Sequence, residues 1–289
     1  MTDPIRIAVI GGSGLYGMEG LTDSEEMTID TPFGPTSDAI VTGKLDGVPV
    51  AFLARHGRGH VHTPTQVPFR ANIYALKTLG VEYIVSVSAC GSLREELVPG
   101  HIVVPDQLVD RTNSRARTFF GDGLVAHTSV ADPFCKDLSG VIAEATREAG
   151  GTVHEGGTFI TIEGPRFSTR GESELYRAWG MSIIGMTTSP EAFLAREAEI
   201  CYGVMAHVTD YDVWHHSEEP VTTEAVVRVL QANTALAQQS IRLIAKKLTA
   251  AERECECCDA LADALFTDRQ RIPAETKAKL KPLVEKYID

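Results

Sequence analysis

Residues 208–214 read VTDYDVW and close an apolar run, ICYGVMAHVTDYDVW, on two carboxylates, Asp210 and Asp212. Side chains two apart on a strand share a face. A strand running on through the pair would therefore hold both acids less than about 7 Å apart at ~3.3 Å per residue. Like charges that close repel, the repulsion raises one apparent pKa, and the pair is expected to share one proton. An acid kept protonated in a dry pocket can donate to a leaving group while its carboxylate neighbour accepts a hydrogen bond. Taken alone, DYD reads more simply as two solvated acids at a strand end.

Other stretches offer groups for an anion. GGSGLYG (11–17) follows the apolar run IRIAVI, so its glycines can expose backbone N–H groups to a phosphate, with the Ser13 hydroxyl assisting. Gly12 to Gly17 also spells G-x-G-x-x-G, but a dinucleotide site needs a helix next, and MEGLTDSEEMTIDTPFG shows no amphipathic helical spacing. LARHGRGHVHTP places Arg55 and His56 directly after another apolar run, and a guanidinium fork suits phosphate oxygens. Arg58 and His62 read as a solvated basic loop, and no metal site is expected from these histidines. SVSACGSL brings Ser88 to the end of a third run. GMTTSPEAFLAREAEICY sets Met186 and Thr187 just before a helix N-terminus, where an anion is favoured and where the hydroxyls could equally cap the helix. Ligands of open α/β sheets bind beyond the carboxyl ends of strands, so Ser13, Arg55 with His56, and Ser88 together make an oxyanion site.

The elements that must position these groups are written in the apolar pattern. IRIAVI, VPVAFLARHG, EYIVSVSACGS, GGTFITIEGPRF and ICYGVMAHV read as strands. QVPFRANIYALKTLG has helical spacing through Phe69, Ile73, Leu76 and Leu79, with Gly80 as terminator. DPFCKDLSGVIAEATREAG reads as a helix capped by Asp132 with Pro133 in its first turn, and SPEAFLAREAEI as one opened by Ser189, Pro190 and Glu191. TTEAVVRVLQANTALAQQSIRLIAKKL reads as a long amphipathic helix ending in lysines. Alternating strands and helices indicate an α/β fold on a parallel or mixed sheet.

With 27 Lys plus Arg against 39 Asp plus Glu, the chain carries a formal charge of −12, which argues against a nucleic acid or an anionic membrane as main partner. No run approaches the roughly 18 apolar residues of a membrane span, and MTDPIRIAVIGGSG lacks the basic start of a signal peptide, so a cytoplasmic protein is expected. Cys90, Cys135 and Cys201 stand singly in apolar surroundings and read as small buried hydrophobes, whereas Cys255, Cys257 and Cys258 crowd into ECECC. Composition shifts near residue 249, where an acidic, cysteine-bearing helical tail begins.

In order and spacing, GGSGLYG, ARHGRGH, SACGSLREE, IEGPRFSTR, GMTTSPEAFLAREAEICY and TDYDVW resemble the S-methyl-5′-thioadenosine phosphorylases of the purine nucleoside phosphorylase family, over about residues 5–248. The resemblance implies an α/β fold with a central mixed, partly barrel-like sheet flanked by helices. It implies phosphorolysis of S-methyl-5′-thioadenosine to adenine and 5-methylthioribose 1-phosphate, with no metal or organic cofactor. Ser13, Arg55, His56, Ser88, the backbone N–H of Ala89 and Thr187 would hold phosphate. Met186 would contact the ribose and Phe167 the base, with Asp210 donating to purine N7 and Asp212 facing the 6-amino group. Homotrimers or hexamers are implied, a neighbouring subunit completing the 5′ pocket, with His127 or the helix of the 220s shaping it.

Three departures stand out. Gly185 replaces the Asn common in the animal enzymes, which is expected to loosen purine selectivity, and Ser88 replaces Thr. Residues 249–289 form an extension of the 1–248 phosphorylase domain that resembles some thermophilic relatives. It suggests a structural disulfide drawn from Cys255, Cys257 and Cys258, with free thiols as the alternative; a zinc site would need a fourth ligand. The competing functions are a purine nucleoside phosphorylase acting on adenosine, inosine or methylthioinosine, and a dinucleotide-binding oxidoreductase.

Overall fold

The computed structural model describes residues 4–12, 15, 18, 20–215, 227, 229, 233–249 and 252–288 of the chain. Its strands are β1 (Ile7–Gly11), β2 (Leu21–Met27), β3 (Ile40–Leu45), β4 (Val48–Ala54), β5 (Tyr83–Ser92), β6 (Ile102–Val104), β7 (Gln107–Arg111), β8 (Val153–Glu155), β9 (Thr158–Ile162), β10 (Ile183–Gly185) and β11 (Cys201–Asp210). Its α-helices are α1 (Phe69–Thr78), α2 (Lys136–Glu148), α3 (Arg170–Ala178), α4 (Thr188–Glu197), α5 (Thr234–Thr249) and α6 (Ala274–Val284). All eleven strands join one mixed sheet, consistent with the expected α/β architecture.

The sheet forks at β5. Along one edge β5 pairs with β11 from Tyr83 to Gly91, parallel throughout. Along the other it pairs with β1 only through Ser86, then with β10 from Gly91 onward. Between these partners the stretch Val87–Cys90 faces a gap. β1, β4, β5 and β11 run parallel there, and their carboxyl ends converge on it.

β1, β5 and β11 are buried along nearly their whole lengths, as expected of strands covered on both faces. α1 buries Phe69, Ile73 and Leu76 as its spacing predicts and ends before Gly80, whose φ of +86° suits glycine. The last helix of the body, α5, covers α2, with Lys247 reaching Glu144 at 2.9 Å. No helix among the described residues is long and apolar enough to cross a membrane.

The segment after GGSGLYG contains the exposed strand β2, hairpin-paired with β3, in keeping with its lack of helical spacing, so the helix that a dinucleotide loop requires is not at 21–27. Three readings of the sequence need correction. The helix expected from Asp132 starts at Lys136, with Cys135 in the N-cap position. β11 ends at Asp210, and Asp212 sits in a turn at φ +49°, so the two acids are not strand neighbours on one face. Cys135 and Cys201 are not isolated: their sulfurs lie with those of Cys255 and Cys257, all within 4.8 Å of one another. All six cysteines are free thiols, and Cys258 instead points toward the Arg253 carbonyl.

The extension after 249 is held against the body. Leu261, Ile272, Leu280, Leu283 and Val284 are buried in the same cluster as Ile73, Leu76 and Tyr202. Among its described residues, the helical content besides α6 consists of two short 3-10 turns, Glu256–Asp259 and Arg269–Arg271.

Candidate active site

The gap in the sheet is the place where backbone groups go unpaired. Alternate residues of a strand aim their N–H and C=O groups to the same edge. Val87 aims its carbonyl toward the β1 side, where Arg55 Nη1 donates to it at 3.0 Å. Ala89, two residues on, therefore turns its N–H to the same gap, and its carbonyl lies 3.4 Å from where a Cβ on Gly185 would stand. Ser88 is buried beside it, its hydroxyl 3.2 Å from the Ala89 carbonyl. The next turn of chain, Gly185 to Thr187, leads from β10 into α4 and closes the gap from the other side.

Thr187 holds the N-cap position of α4 without a side-chain capping bond. The following Ser189 is extended (φ −100°, ψ 135°), so continuous helix begins at Pro190, as the Ser-Pro-Glu signal predicts. The Thr187 hydroxyl is thus not committed to its helix. With the Ala89 N–H, Ser88 and a helix N-terminus, it supplies anion-binding groups.

Arg55 is placed differently. It is 3 % exposed, and its Nε and Nη2 form a two-point ion pair with Glu191 at 2.9 and 2.8 Å. Nη2 also reaches Ser86 Oγ at 2.7 Å and the Ile10 carbonyl at 3.2 Å. Glu191 is itself buried and accepts from Tyr202 and Ser86 hydroxyls at 2.8 and 3.2 Å. This network locks α4 to the ends of β1, β4 and β5, leaving one Nη1 hydrogen of Arg55 for a ligand.

His56, in the turn after β4, directs Nδ1 at the His62 carbonyl at 2.9 Å, which fixes the tautomer with Nε2 free. Its ring stacks on His60, and burial brings its pKa down to about 4. Ser13 lies outside the described residues; its loop leaves β1 at Gly11, whose carbonyl receives the Arg55 N–H at 3.0 Å.

Across β5 from the gap, at the end of β11, stand the acids. The β5–β11 register slips between Val208 and Asp210, leaving Thr209 as the extra residue of a bulge and Asp210 opposite Gly91. Asp210 Oδ1 accepts the Asp212 N–H at 2.8 Å, and Oδ2 accepts from the Thr209 hydroxyl at 2.6 Å. Burial raises the Asp210 pKa against those two hydrogen bonds. Asp212 is pushed up to about 6, by burial first and by the Asp210 charge second, and its Oδ2 is buried without a hydrogen-bond partner. Desolvation, more than mutual repulsion, therefore brings acid forms toward neutral pH, which corrects the sequence-based emphasis. Gly91 is required here, since a Cβ on it would lie 2.9 Å from Asp210 Oδ1 and 3.3 Å from Asp212 Cβ.

Met186 lies in the apolar cluster of Ile184, Tyr211 and Trp214, its sulfur against Gly164, where a Cβ would come within 2.6 Å. Phe167 is 40 % exposed, just ahead of the Thr169 capping box that starts α3. At Gly185 a Cβ would fall 2.6 Å from the Phe159 ring, so Phe159 takes up the room a side chain there would use. His127 lies elsewhere. It lines a cavity of about 330 Å³ with Arg196, Glu256, Asp259 and Asp263, and no Asp210, Thr187 or Ser88 borders it. The expected helix of the 220s falls largely outside the described residues.

The sequence reading did not find Arg115. This buried residue donates to the Met186, Ser189 and Glu163 carbonyls at 2.6, 2.7 and 2.7 Å and so ties the Met186–Ser189 turn to the end of β9. Burial would raise the Glu163 pKa. Hydrogen bonds from Thr65, Asn113 and Ser114, together with the Arg115 charge, instead bring it down to about 2, keeping it an anionic partner. Nor did the sequence pair Glu191 with Arg55.

A family model described as the phosphorylase superfamily matches residues 6–246. The S-methyl-5′-thioadenosine phosphorylase of Geobacter sulfurreducens is 57% identical over 283 residues, covering 98% of this chain and 99% of its own. That of Thermosynechococcus vestitus is 53% identical over 286 residues, with coverages of 98% and 99%. A crystal structure of methylthioadenosine phosphorylase from an antarctic soil metagenomic library matches with a TM-score of 0.94 at 49% identity, over 98% of this chain and 100% of that one. Methylthioadenosine phosphorylase from Schistosoma mansoni in complex with adenine matches with a TM-score of 0.81 at 36% identity, over 86% and 93%. With a family model matching residues 6–246 and relatives this similar across almost its whole length, the chain belongs to the phosphorylase superfamily, among the S-methyl-5′-thioadenosine phosphorylases.

Proposed function

We propose that this chain carries out phosphorolysis of S-methyl-5′-thioadenosine, giving adenine and 5-methylthioribose 1-phosphate, with the fork in the sheet as the reaction site. The observation that carries this reading is the spacing of the two polar ends. Ala89 and Gly91 are two residues apart on β5, about 7 Å, and Asp210 pairs with Gly91. Phosphate at the Ala89 N–H and purine at Asp210 would place the ribose between them at the carboxyl end of one strand.

Phosphate is held by Ser88, the Ala89 N–H, Thr187, His56, the remaining Arg55 hydrogen and Ser13. A phosphate oxygen forms the bond to the anomeric carbon as the bond to purine N9 breaks, and the electron pair of that bond leaves with the purine. Asp210 relieves the developing charge by giving a proton to N7, and the Asp212 carboxylate accepts from the 6-amino group. Holding the anion in line turns an encounter into a positioned step. Met186 and Phe167 pack on ribose and base. Neutral His56, its Nδ1–H held by the His62 carbonyl, can accept a hydrogen bond from a protonated phosphate oxygen at Nε2 and so orient the nucleophile.

Residues 249–289 we read as part of the same domain, since their apolar side chains complete its core. The assembly we take to be a trimer or hexamer. The strip Val125–His127 runs beside Ala264–Phe266 and leaves Val125, Val130 and Phe266 exposed, a patch suited to a neighbouring copy.

The test is adenine release from methylthioadenosine with and without phosphate. Phosphate-dependent release is expected; release without phosphate would mean a hydrolase, and release only from inosine would remove the adenine assignment. Asp210→Asn is expected to lower kcat by roughly 10²–10⁴-fold with much less change in methylthioadenosine binding, and unchanged turnover would take Asp210 out of the mechanism.

A further inference from the structure

At the opposite end of β11, away from the reaction, four thiols meet. Cys201 begins the strand and Asp210 ends it, nine steps of ~3.3 Å or about 30 Å apart. Cys135 stands at the N-cap of α2, Cys201 at the start of β11, and Cys255 and Cys257 in the extension at the opening of a 3-10 turn. Their four sulfurs all lie within 4.8 Å of one another, Cys201 and Cys255 at 3.2 Å. Cys135, Cys201 and Cys257 are buried and Cys255 partly so.

We propose that Cys135, Cys201, Cys255 and Cys257 form a closed tetrathiolate site for a structural zinc ion that staples the C-terminal extension to the body. Zinc–thiolate bonds of about 2.3 Å in a tetrahedron put sulfurs about 3.8 Å apart, so the cluster needs only sub-ångström adjustments to close on an ion. Four thiols with each sulfur near the other three suit one central ion. A pair of disulfides would sort the same sulfurs into two bonded couples at about 2.05 Å. A Cys-x-Cys pair from one segment plus two single cysteines from separate elements also gives a chelate whose ligands arrive only when the chain is folded.

The surroundings suit the charge. Four thiolates around a divalent ion carry a net charge of −2, and the guanidinium groups of Arg253 and Arg196 interact electrostatically with Cys201 and Cys257, respectively. Arg253 is anchored by its bond to the Glu199 carbonyl at 2.6 Å, while among the described residues its buried Nε makes no hydrogen bond and is available to a thiolate sulfur. The positive end of α2 opens at Cys135. Binding exchanges four thiol protons for one zinc ion, with no redox change. Two ligands lie within the span of the superfamily model and two beyond it, so the site belongs to chains that carry this extension.

The full chain, purified in reducing, chelator-free buffer after growth with added zinc, is analysed by elemental mass spectrometry and then exchanged with cobalt(II). About one zinc per chain is expected, with thiolate-to-cobalt charge transfer and the visible bands of tetrahedral cobalt. Cys257→Ser should lose the metal, and Cys258→Ser should keep it. Chelation should lower the wild-type Tm, a readout that survives if Cys257→Ser does not fold. Substoichiometric metal in the reduced wild type, a cobalt spectrum lacking tetrahedral thiolate bands, iron in place of zinc, or intact-mass evidence of disulfides among these four cysteines would each overturn the proposal. Because none of these readouts uses activity, failure here leaves the phosphorolysis reading standing.

Discussion

Arg55 and Asp212 are both buried ionisable residues at strand ends, 3 % and 8 % exposed, yet the protein treats them in opposite ways. Arg55 has its counter-charge at hand: Glu191 meets it at two points, and Ser86 and Tyr202 complete the set. Asp212 has no counter-ion beside it, a second acid two residues away, and one carboxylate oxygen with no partner. The first region has its charge neutralised before any ligand arrives, with one Nη1 hydrogen to spare, and fixes where β1, β4, β5 and α4 stand. The second is left incomplete, so its polarity is available to whatever binds. Fixed scaffold charges and ligand-directed charges can thus be told apart by how completely they are satisfied.

The largest effect should come from opening the finished region. Glu191→Gln keeps the shape of the side chain but leaves a buried guanidinium without its counter-charge, a change that costs about 3–5 kcal/mol when a buried pair is broken. Denaturant unfolding at one fixed protein concentration checks it. A loss below ~1 kcal/mol would mean that the pair is not a structural anchor.

The unfinished region should respond with the opposite sign. Asp212 has a folded pKa of about 6 against an ordinary 3.8, so the folded chain holds the extra proton between those values. The stabilisation tied to that proton is complete below the unfolded pKa and is lost as pH rises through about 6. Asp212→Asn removes this loss, and asparagine tolerates the left-handed backbone of the site. The variant is expected to be more stable than the wild type at pH 8, by up to roughly 3 kcal/mol for a shift of about two pH units, with the gap shrinking at pH 5. A wild-type advantage at pH 8 in the ligand-free protein would show that Asp212 is satisfied after all.

This contrast was only half legible in the amino-acid sequence. Apolar runs ended by small or polar residues announce β1, β4, β5 and β11, the strand-end rule gathers Ser13, Arg55, His56 and Ser88 from them, and the helix N-terminus adds Thr187. Burial on both faces writes itself into composition. Edge strands do not: β2 is mostly polar and exposed, and pairs through its backbone with β3. The bulge at Thr209 and the turn at Asp212 were also hidden, because a register slip depends on the partner strand. Partners distant in sequence are hidden for the same reason. Glu191 lies 136 positions from Arg55, and Cys255 lies 54 from Cys201; no local periodicity encodes either meeting. Arg115 looked like any loop arginine until its five donors were seen to close on the turn at Met186–Ser189 and on the end of β9.

The smallest effect is the sharpest test of the distinction. Thr187 stands where a helix cap belongs, but its hydroxyl makes no capping bond, and α4 does not wind continuously until Pro190. If that hydroxyl is reserved for the ligand, removing it should cost binding and spare the fold. Thr187→Val keeps the β-branched shape and deletes only the donor. A lost hydrogen bond to a charged group corresponds to about tenfold or more, so KM for phosphate should rise about tenfold while KM for methylthioadenosine stays close to wild type. Thermal stability should shift by less than the ~1 kcal/mol of a working N-cap. If stability falls by that amount and the phosphate KM does not move, Thr187 belongs with Arg55 among the groups already satisfied, and the anion cradle loses its side-chain donor on the α4 side.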